Sequence, residues 1–275
     1  TLNRALRGGF GQVRPDRTGH PRIVSGRINW DGLARALAPD LQRYQLAEGR
    51  LDSPIVSALA RRSVADWLDQ IHADTEMRDT ATALRGFFLA DPEELSLLAF
   101  VEQFAGDATA SPWNMYRIAG GNDRLAEALA VRLGSRLHLL TDLVAVSHRG
   151  ANVRASLKHQ GAVTQVTCDY LVFALPATTL RRVPITPALP AAQHQAIAGL
   201  KYGHATKSLL QFAKPTWRSP GRPRAFGSPL PFGAVWDASE HQRGRAGILA
   251  LLAGGNASDA TQAVLTRDGS AGLAA

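Results

Sequence analysis

The chain has 275 residues, 45% of them hydrophobic and 20% charged, with a formal net charge of +8. That supply of apolar side chains supports a buried core in one large or two smaller domains and excludes a disordered or fibrous polypeptide. The positive excess is carried by arginines scattered along the chain, the pattern of a solvated surface and not of a nucleic-acid footprint.

The first part reads as helical. Gly8-Gly-Phe-Gly11 lacks the third glycine, the strand and the helix that give a dinucleotide-binding turn its meaning, so it is not read as a nucleotide loop. Asn29 is placed to cap a helix that carries Leu33 and Leu37 and ends before Pro39, and Ser63 with Asp66 forms a capping-box pattern ahead of Trp67, Leu68 and Ile71. Asp91-Pro-Glu-Glu94 is a third start signal, a cap followed by a first-turn proline and acids at the positive helix end.

The most informative stretch is Met115-Tyr-Arg-Ile-Ala-Gly-Gly121 with the residues that follow it. Gly120 and Gly121 permit positive φ and leave no Cβ in the way of a ligand or a second backbone, and Asn122 is a favoured N-cap. Leu125, Leu129 and Leu133 then recur at helical spacing, with Gly134 as the stop.

Short β-like runs come next: Arg136 to Leu140, Leu143 to His148, Val153 to Lys158 and Val163 to Leu175. The last closes in Tyr170 to Leu175, a continuous apolar run expected of a strand covered on both faces, which Pro176 terminates. A helix feeding such strands predicts a mixed α/β architecture with ligand contacts beyond the strand ends, so Ala174 to Ala177 is a candidate contact edge. Cys168, the lone cysteine, excludes an intrachain disulfide and a cysteine metal site, and its place in an apolar strand argues for core packing.

After a short helix over Ala191 to Leu200, strands are predicted at His204 to Phe212, Ala234 to Trp236 and Gly247 to Leu252, with a loop from Ser219 to Gly233. Lys207 stands out in the alternating run His204 to Phe212, where a half-buried lysine must find a polar partner or lose its charge; an outward-facing, solvated lysine is the alternative that an arbitrary strand favours. Residues 256–275 lose hydrophobic periodicity and read as a weakly structured tail.

No Gly-x-Ser-x-Gly elbow, His-Glu-x-x-His or Walker loop occurs, and the eight histidines lack metal-ligand spacing, so no metal site is expected. No run approaches the roughly 20 apolar residues of a membrane span. Nothing assigns a compartment, and the cytoplasm is the default expectation.

Several words in a fixed order carry a resemblance: Met115-Tyr-Arg-Ile-Ala-Gly-Gly121, Leu137-x-Leu139-x-x-x-Leu143-x-x-Val146, Asp169-Tyr-Leu-Val-Phe-Ala-Leu-Pro176, Pro187-x-Leu-Pro190, Leu200-x-Tyr-Gly203-x-x-x-Lys207 and Trp217. Ser63 to Leu68 and Asp91 to Ser96 extend them upstream, Gly233 to Ala238 and Gly254-Gly255 downstream. Together they resemble the FAD-dependent amine oxidase family, the monoamine oxidase-like group.

The resemblance implies a partial FAD-binding domain with a helical insertion and a substrate-domain sheet. It divides the chain into 1–114, mainly helical and part of the substrate domain; 115–199, the partial FAD-binding domain; 200–255, the substrate-domain sheet; and 256–275, the tail. The family's opening Gly-x-Gly-x-x-Gly turn and its closing flavin-packing segment are not visible and the first residue is Thr1, so the chain is expected to be a fragment of a longer oxidase.

The resemblance also implies roles. Lys207 matches the lysine that holds a water against flavin N5 and is the expected catalytic residue. Arg117, Gly120, Gly121, Leu143, Ala174, Leu175 and Pro176 match positions near a non-covalent FAD, and Trp217 and Trp236 are expected walls of the substrate cavity. At the glycine pair, Leu143 and Pro176, tight packing asks for the same small or apolar residues as cofactor contact. The implied partners are a small-molecule amine and O2. A non-catalytic scaffold derived from an oxidase and a basic nucleic-acid binder are the readings from other classes.

Overall fold

A computed structural model describes residues 2–5, 10–15, 21–27, 30–105, 115–218, 225–230, 232–240, 242 and 244–273. The chain opens with β1 (Leu2–Ala5), β2 (Phe10–Pro15) and β3 (Pro21–Arg27). Helices α1 (Trp30–Leu46), α2 (Pro54–Arg61), α3 (Val64–Gln70), α4 (Thr75–Ala83), α5 (Arg85–Phe88) and α6 (Leu97–Ala105) follow, then β4 (Met115–Ile118). The middle holds α7 (Asp123–Leu133), β5 (Thr141–Arg149), β6 (Asn152–His159), β7 (Ala162–Cys168), α8 (Ala177–Leu180), β8 (Ile185–Thr186) and α9 (Ala191–Gly199). The last part holds β9 (Ala205–Phe212), β10 (Ala225–Gly227), β11 (Ala234–Asp237), β12 (Gly247–Gly254) and α10 (Asn256–Gly272).

These elements form two units, Thr1–Ala119 with Gly203–Ala275, and Gly120–Tyr202. The first joins segments from both ends of the chain, and it begins with three strands ahead of the six helices.

In the first unit a six-stranded mixed sheet runs β3-β2-β10-β11-β12-β9, antiparallel except for the β10–β2 pair. The helical core packs Leu33, Leu37, Val64, Trp67, Leu97, Phe100 and Val101, all essentially inaccessible, with Ala225 of the sheet in the same cluster. Phe100 is its hub, with ring centroids 6.1 Å from Trp67, 5.4 Å from Phe88 and 5.5 Å from Phe104. Each such large side chain contributes roughly 1.5–3 kcal/mol by leaving water.

Helix α1 continues through Pro39 to Leu46, where a stop before the proline was expected; Asn29, its predicted cap, lies outside the described residues. The apolar stripe that starts with Leu33 and Leu37 extends to Leu41 and Tyr44 on the same core, and this burial offsets the hydrogen bond that the proline cannot donate. The capping box of α3 forms as read: Asp66 N donates to Ser63 Oγ at 3.0 Å and Ser63 N donates to Asp66 Oδ2 at 3.3 Å. The Ser63 hydrogen bond holds the Asp66 carboxyl below the usual carboxylate range.

The Asp91 signal does not start a helix. Residues 92–94 make a turn and α6 begins at Leu97, because both Asp91 oxygens are engaged across the unit. Oδ1 accepts from Arg85 Nη1 at 3.2 Å and Oδ2 from Asn256 N at 2.7 Å, while Arg85 Nη2 donates to the Pro229 and Leu230 carbonyls at 2.7 Å each. Asp91 therefore caps α10, and residues 256–272 are a helix rather than the expected tail. That helix buries Ala257, Ser258 and Thr261, residues too small and polar to write an apolar stripe. It turns at Gly269, whose φ is +66°.

The second unit has a four-stranded sheet, β7-β6-β5-β8, in which only β5 and β8 run parallel. Val146 and Ala155 are its buried hydrophobic residues among those described. Helix α7 forms where it was read, with Gly134 as its C-cap at φ +53°, but Asn122 makes no side-chain cap hydrogen bond at its start and the helix buries no residue. Two expected strands are missing. Arg136 to Leu140 is a helical turn and an exposed stretch in which Leu140 takes φ +53°, and residues 170–175 follow β7 with no ladder partner.

Candidate functional site

Strand β9 carries Lys207. Its ladder with β12 pairs Lys207 with Leu252 and Leu209 with Ala250, and β11 pairs Ala234 with Leu252 and Trp236 with Ala250. Directly opposed residues share a face, so Lys207, Leu209 and Trp236 lie on one side of the sheet. The Lys207 ammonium sits 5.4 Å from the centroid of the Trp236 ring. Lys207 is exposed rather than half-buried, because the alternation of β9 buries Thr206, Ser208 and Leu210 more than the residues between them. The aromatic face offers the cation a site worth about 0.5–1 kcal/mol at such exposure.

Trp217 belongs to the other face. Its indole lies where a side chain on Gly247 would project, at 2.8 Å from that ideal Cβ, and its centroid is 5.3 Å from Phe212 in an edge-on contact. Phe212 and Gly247 are a cross-strand pair of opposite parity to Lys207. Trp217 and Trp236 therefore cannot wall one cavity on the same side of this sheet. The Trp217 face also carries a cavity of about 260 Å³ lined by Thr206, Ser208, Leu251 and Thr261.

A polar clasp joins the residues next to the two tryptophans, and the sequence reading passed over it. Arg218, next to Trp217, donates to both oxygens of Asp237, next to Trp236, at 2.5 and 3.0 Å and reaches Ser239 Oγ at 3.0 Å. Ser239 Oγ also donates to Asp237 Oδ1 and accepts the Ile248 amide at 2.9 Å. Burial pushes the Asp237 carboxyl up, but the hydrogen bonds from Arg218 and Ser239 outweigh it and leave it below the usual range. The same hydrogen bond raises the Arg218 guanidinium. The available signal was an acid directly after a half-buried tryptophan in a strand, where a carboxylate needs a partner.

Helix α5 and the residue after it approach β12 and the start of β9 at distances that only glycine allows. A Cβ on Gly203 would meet Leu89 O at 2.3 Å, one on Gly254 would meet Arg85 O at 2.0 Å, and one on Gly86 would meet Leu252 O at 2.6 Å. Helix α5 thus lies against the end of the sheet from which Lys207 projects.

The remaining predicted contacts, apart from Arg117, belong to the second unit. Gly120 and Gly121 take φ of +91° and +120°, so the strained turn ahead of α7 is real. The space beside each is filled by the chain's own Arg124 Nε and Asp123 Oδ1, 2.5 and 2.2 Å from where a Cβ would stand. Leu143 pairs with Leu157, and the ladder then slips so that Val144 bulges out of register. Ala174, Leu175 and Pro176 are exposed ahead of α8, where Ala177 N donates to the Tyr202 hydroxyl at 2.9 Å. Arg117 stands in β4 opposite Asn3. Among the described residues no cluster of three His, Cys, Asp or Glu side chains could hold a metal, and no helix is long and apolar enough to cross a membrane.

A model of the flavin containing amine oxidoreductase family matches residues 26–266, and the chain belongs to that family. It is 24% identical over 199 residues to a probable flavin-containing monoamine oxidase A of Dictyostelium discoideum, an alignment that covers 72% of this chain and 41% of that protein. It is 28% identical over 125 residues to an L-amino-acid oxidase of Naja atra, with 45% and 24% covered. Among solved structures, a putrescine oxidase double mutant from a redesign of cofactor binding superposes with a TM-score of 0.79 at 19% identity, covering 99% of this chain and 64% of the other. The chain thus spans less than two thirds of the length of these proteins.

The cofactor of the family is FAD. In the second unit the positive-φ glycine pair at the start of α7 and the bulge beside Leu143 are the backbone features at the positions the resemblance assigns to the cofactor, and the side chains of Arg124 and Asp123 occupy the space beside the two glycines.

Proposed function

We propose that the complete protein of which this chain is part oxidises a small amine. The bound flavin would supply the redox chemistry, accepting a hydride from the amine-bearing carbon and passing the electrons to O2 as peroxide while the product leaves as an imine. The chain's own residues orient and polarise. Lys207 would hold a water through its ammonium Nζ, and Trp236 fixes where that ammonium stands. Gly120, Gly121 and Leu143 would offer main-chain contacts to the cofactor, and Ala174, Leu175 and Pro176 would border it. The observation that carries this reading is the Lys207 ammonium over Trp236, in a chain matched by the family along most of its length.

The 275 residues alone are expected to bind FAD weakly and to be inactive, because the second unit leaves its apolar surface open to water. The test is flavin absorbance of the purified chain and of the complete gene product after addition of FAD, with peroxide release measured on a panel of amines. Peroxide from the complete product and none from the chain is the expected result. A complete product that takes up no flavin overturns the reading and leaves a non-catalytic scaffold.

A further inference from the structure

Behind the strand that carries Lys207 lies a space that the fold leaves unfilled. The face of β9 and β12 opposite Lys207 presents Thr206, Ser208 and Ala253, and α10 meets it with Ala260, Thr261 and Val264. Side chains this small do not span the gap between a helix and a sheet at ordinary packing distance, and a cavity of about 260 Å³ remains between them. The turn of α10 at Gly269 brings Leu273 back against one end of it. The reaction assigned to Lys207 makes no use of this cavity, which lies on the far side of the sheet from the ammonium.

The lining selects the chemistry of an occupant. Its walls are mainly hydrocarbon, and none of the described residues that form them is charged, so an ammonium or a carboxylate would give up its hydration there without compensation. Thr206 Oγ1 is engaged with Ser258 Oγ at 2.8 Å, and Thr261 Oγ1 donates to Ala257 O at 2.8 Å. Ser208 Oγ has no hydrogen-bond partner among the described residues, which leaves one hydroxyl able both to donate and to accept in an apolar space. An apolar cavity of about 150 Å³ is enough for benzene, so this one has room for a ring with a short chain. We propose that the cavity between α10 and the β9–β12 face is a binding site for a small neutral molecule with an apolar body and one hydroxyl group, which pairs with Ser208. The site is separate from the one that takes the amine and does not depend on the flavin.

The complete gene product is titrated in a calorimeter with 3-phenyl-1-propanol and with its hydrocarbon counterpart propylbenzene, as the parent protein, as Ser208→Ala and as Ala253→Leu. Both probes bind the parent at one site. Ser208→Ala weakens the alcohol about fivefold, the loss expected for one hydrogen bond, and leaves propylbenzene unchanged. Ala253→Leu sets a larger side chain into the cavity and removes both. If Ala253→Leu fails to fold, the contrast between the two probes in Ser208→Ala decides alone. Binding that survives Ala253→Leu lies elsewhere and overturns the proposal, and so does a loss in Ser208→Ala that is the same for both probes. Absence of binding to the parent also overturns it and makes the protein's own polypeptide the occupant of the space. A product that binds the alcohol through Ser208 but takes up no flavin keeps this site and sinks the oxidase reading.

Discussion

Asp91 and Asn256, 165 residues apart in the chain, meet where the Asp91 carboxylate accepts the first amide of α10 at 2.7 Å. The other oxygen of Asp91 takes Arg85, so one buried carboxylate joins the helical layer, the loop at Pro229 and Leu230, and the C-terminal helix.

Removing it should be costly. Asp91→Ala leaves the Arg85 guanidinium buried without its counter-charge and uncaps α10, a loss of about 3–5 kcal/mol in chemical denaturation. The double variant Arg85→Met with Asp91→Ala should lose less than the sum of the two single changes. Additive single losses would show that the pair is not coupled.

Stability should depend on pH through Asp237. Its folded carboxyl titrates below the usual value, so its contribution is fully present above the unfolded pKa of about 4 and is lost as pH falls through the folded value. Melting temperatures between pH 7 and pH 3 should therefore drop less steeply in Asp237→Asn than in the parent chain. A variant as acid-sensitive as the parent would assign the drop to other carboxylates.

Close packing predicts a contrast between glycines. Gly86→Ala places a Cβ 2.6 Å from Leu252 O and 2.7 Å from Ala234 N, both backbone atoms, and should cost about 1–3 kcal/mol or more. Gly199→Ala, in a helix end with open space around it, should be neutral or gain up to about 1 kcal/mol. Parallel urea titrations read both.

In the FAD-loaded complete protein, Lys207→Met should slow reoxidation by oxygen by about 10²-fold and change reduction by the amine far less. Stopped-flow absorbance separates the two half-reactions. An equal fall in both would assign Lys207 to substrate binding.

Much of the architecture was legible in the residues, and the exceptions share a cause. Strands β5, β6, β9, β11 and β12, helix α7 and the Ser63 capping box were readable because each carries its own period or cap. Helix α10 was not, since its buried face is Ala257, Ser258 and Thr261 and its cap comes from Asp91, distant in the chain. Pro39 misled because a local rule yielded to the long-range burial of Leu33 and Leu37. Lys207 was singled out by the resemblance, since the alternating run alone also admits a solvated lysine, and its aromatic partner depends on the strand register. Residues 170–175 were read as a strand covered on both faces from composition alone; in the structure they join no ladder, with Leu171 and Phe173 half-buried and Tyr170 and Val172 exposed.

The first unit's assembly from both ends of the chain has a consequence for biosynthesis. At about 5–20 residues per second the ribosome releases the aromatic hub around Phe100 several seconds before β11 and β12 exist. The early helices must wait with their sheet-facing side bare, and stalled or prematurely terminated chains would offer that surface to chaperones and proteases.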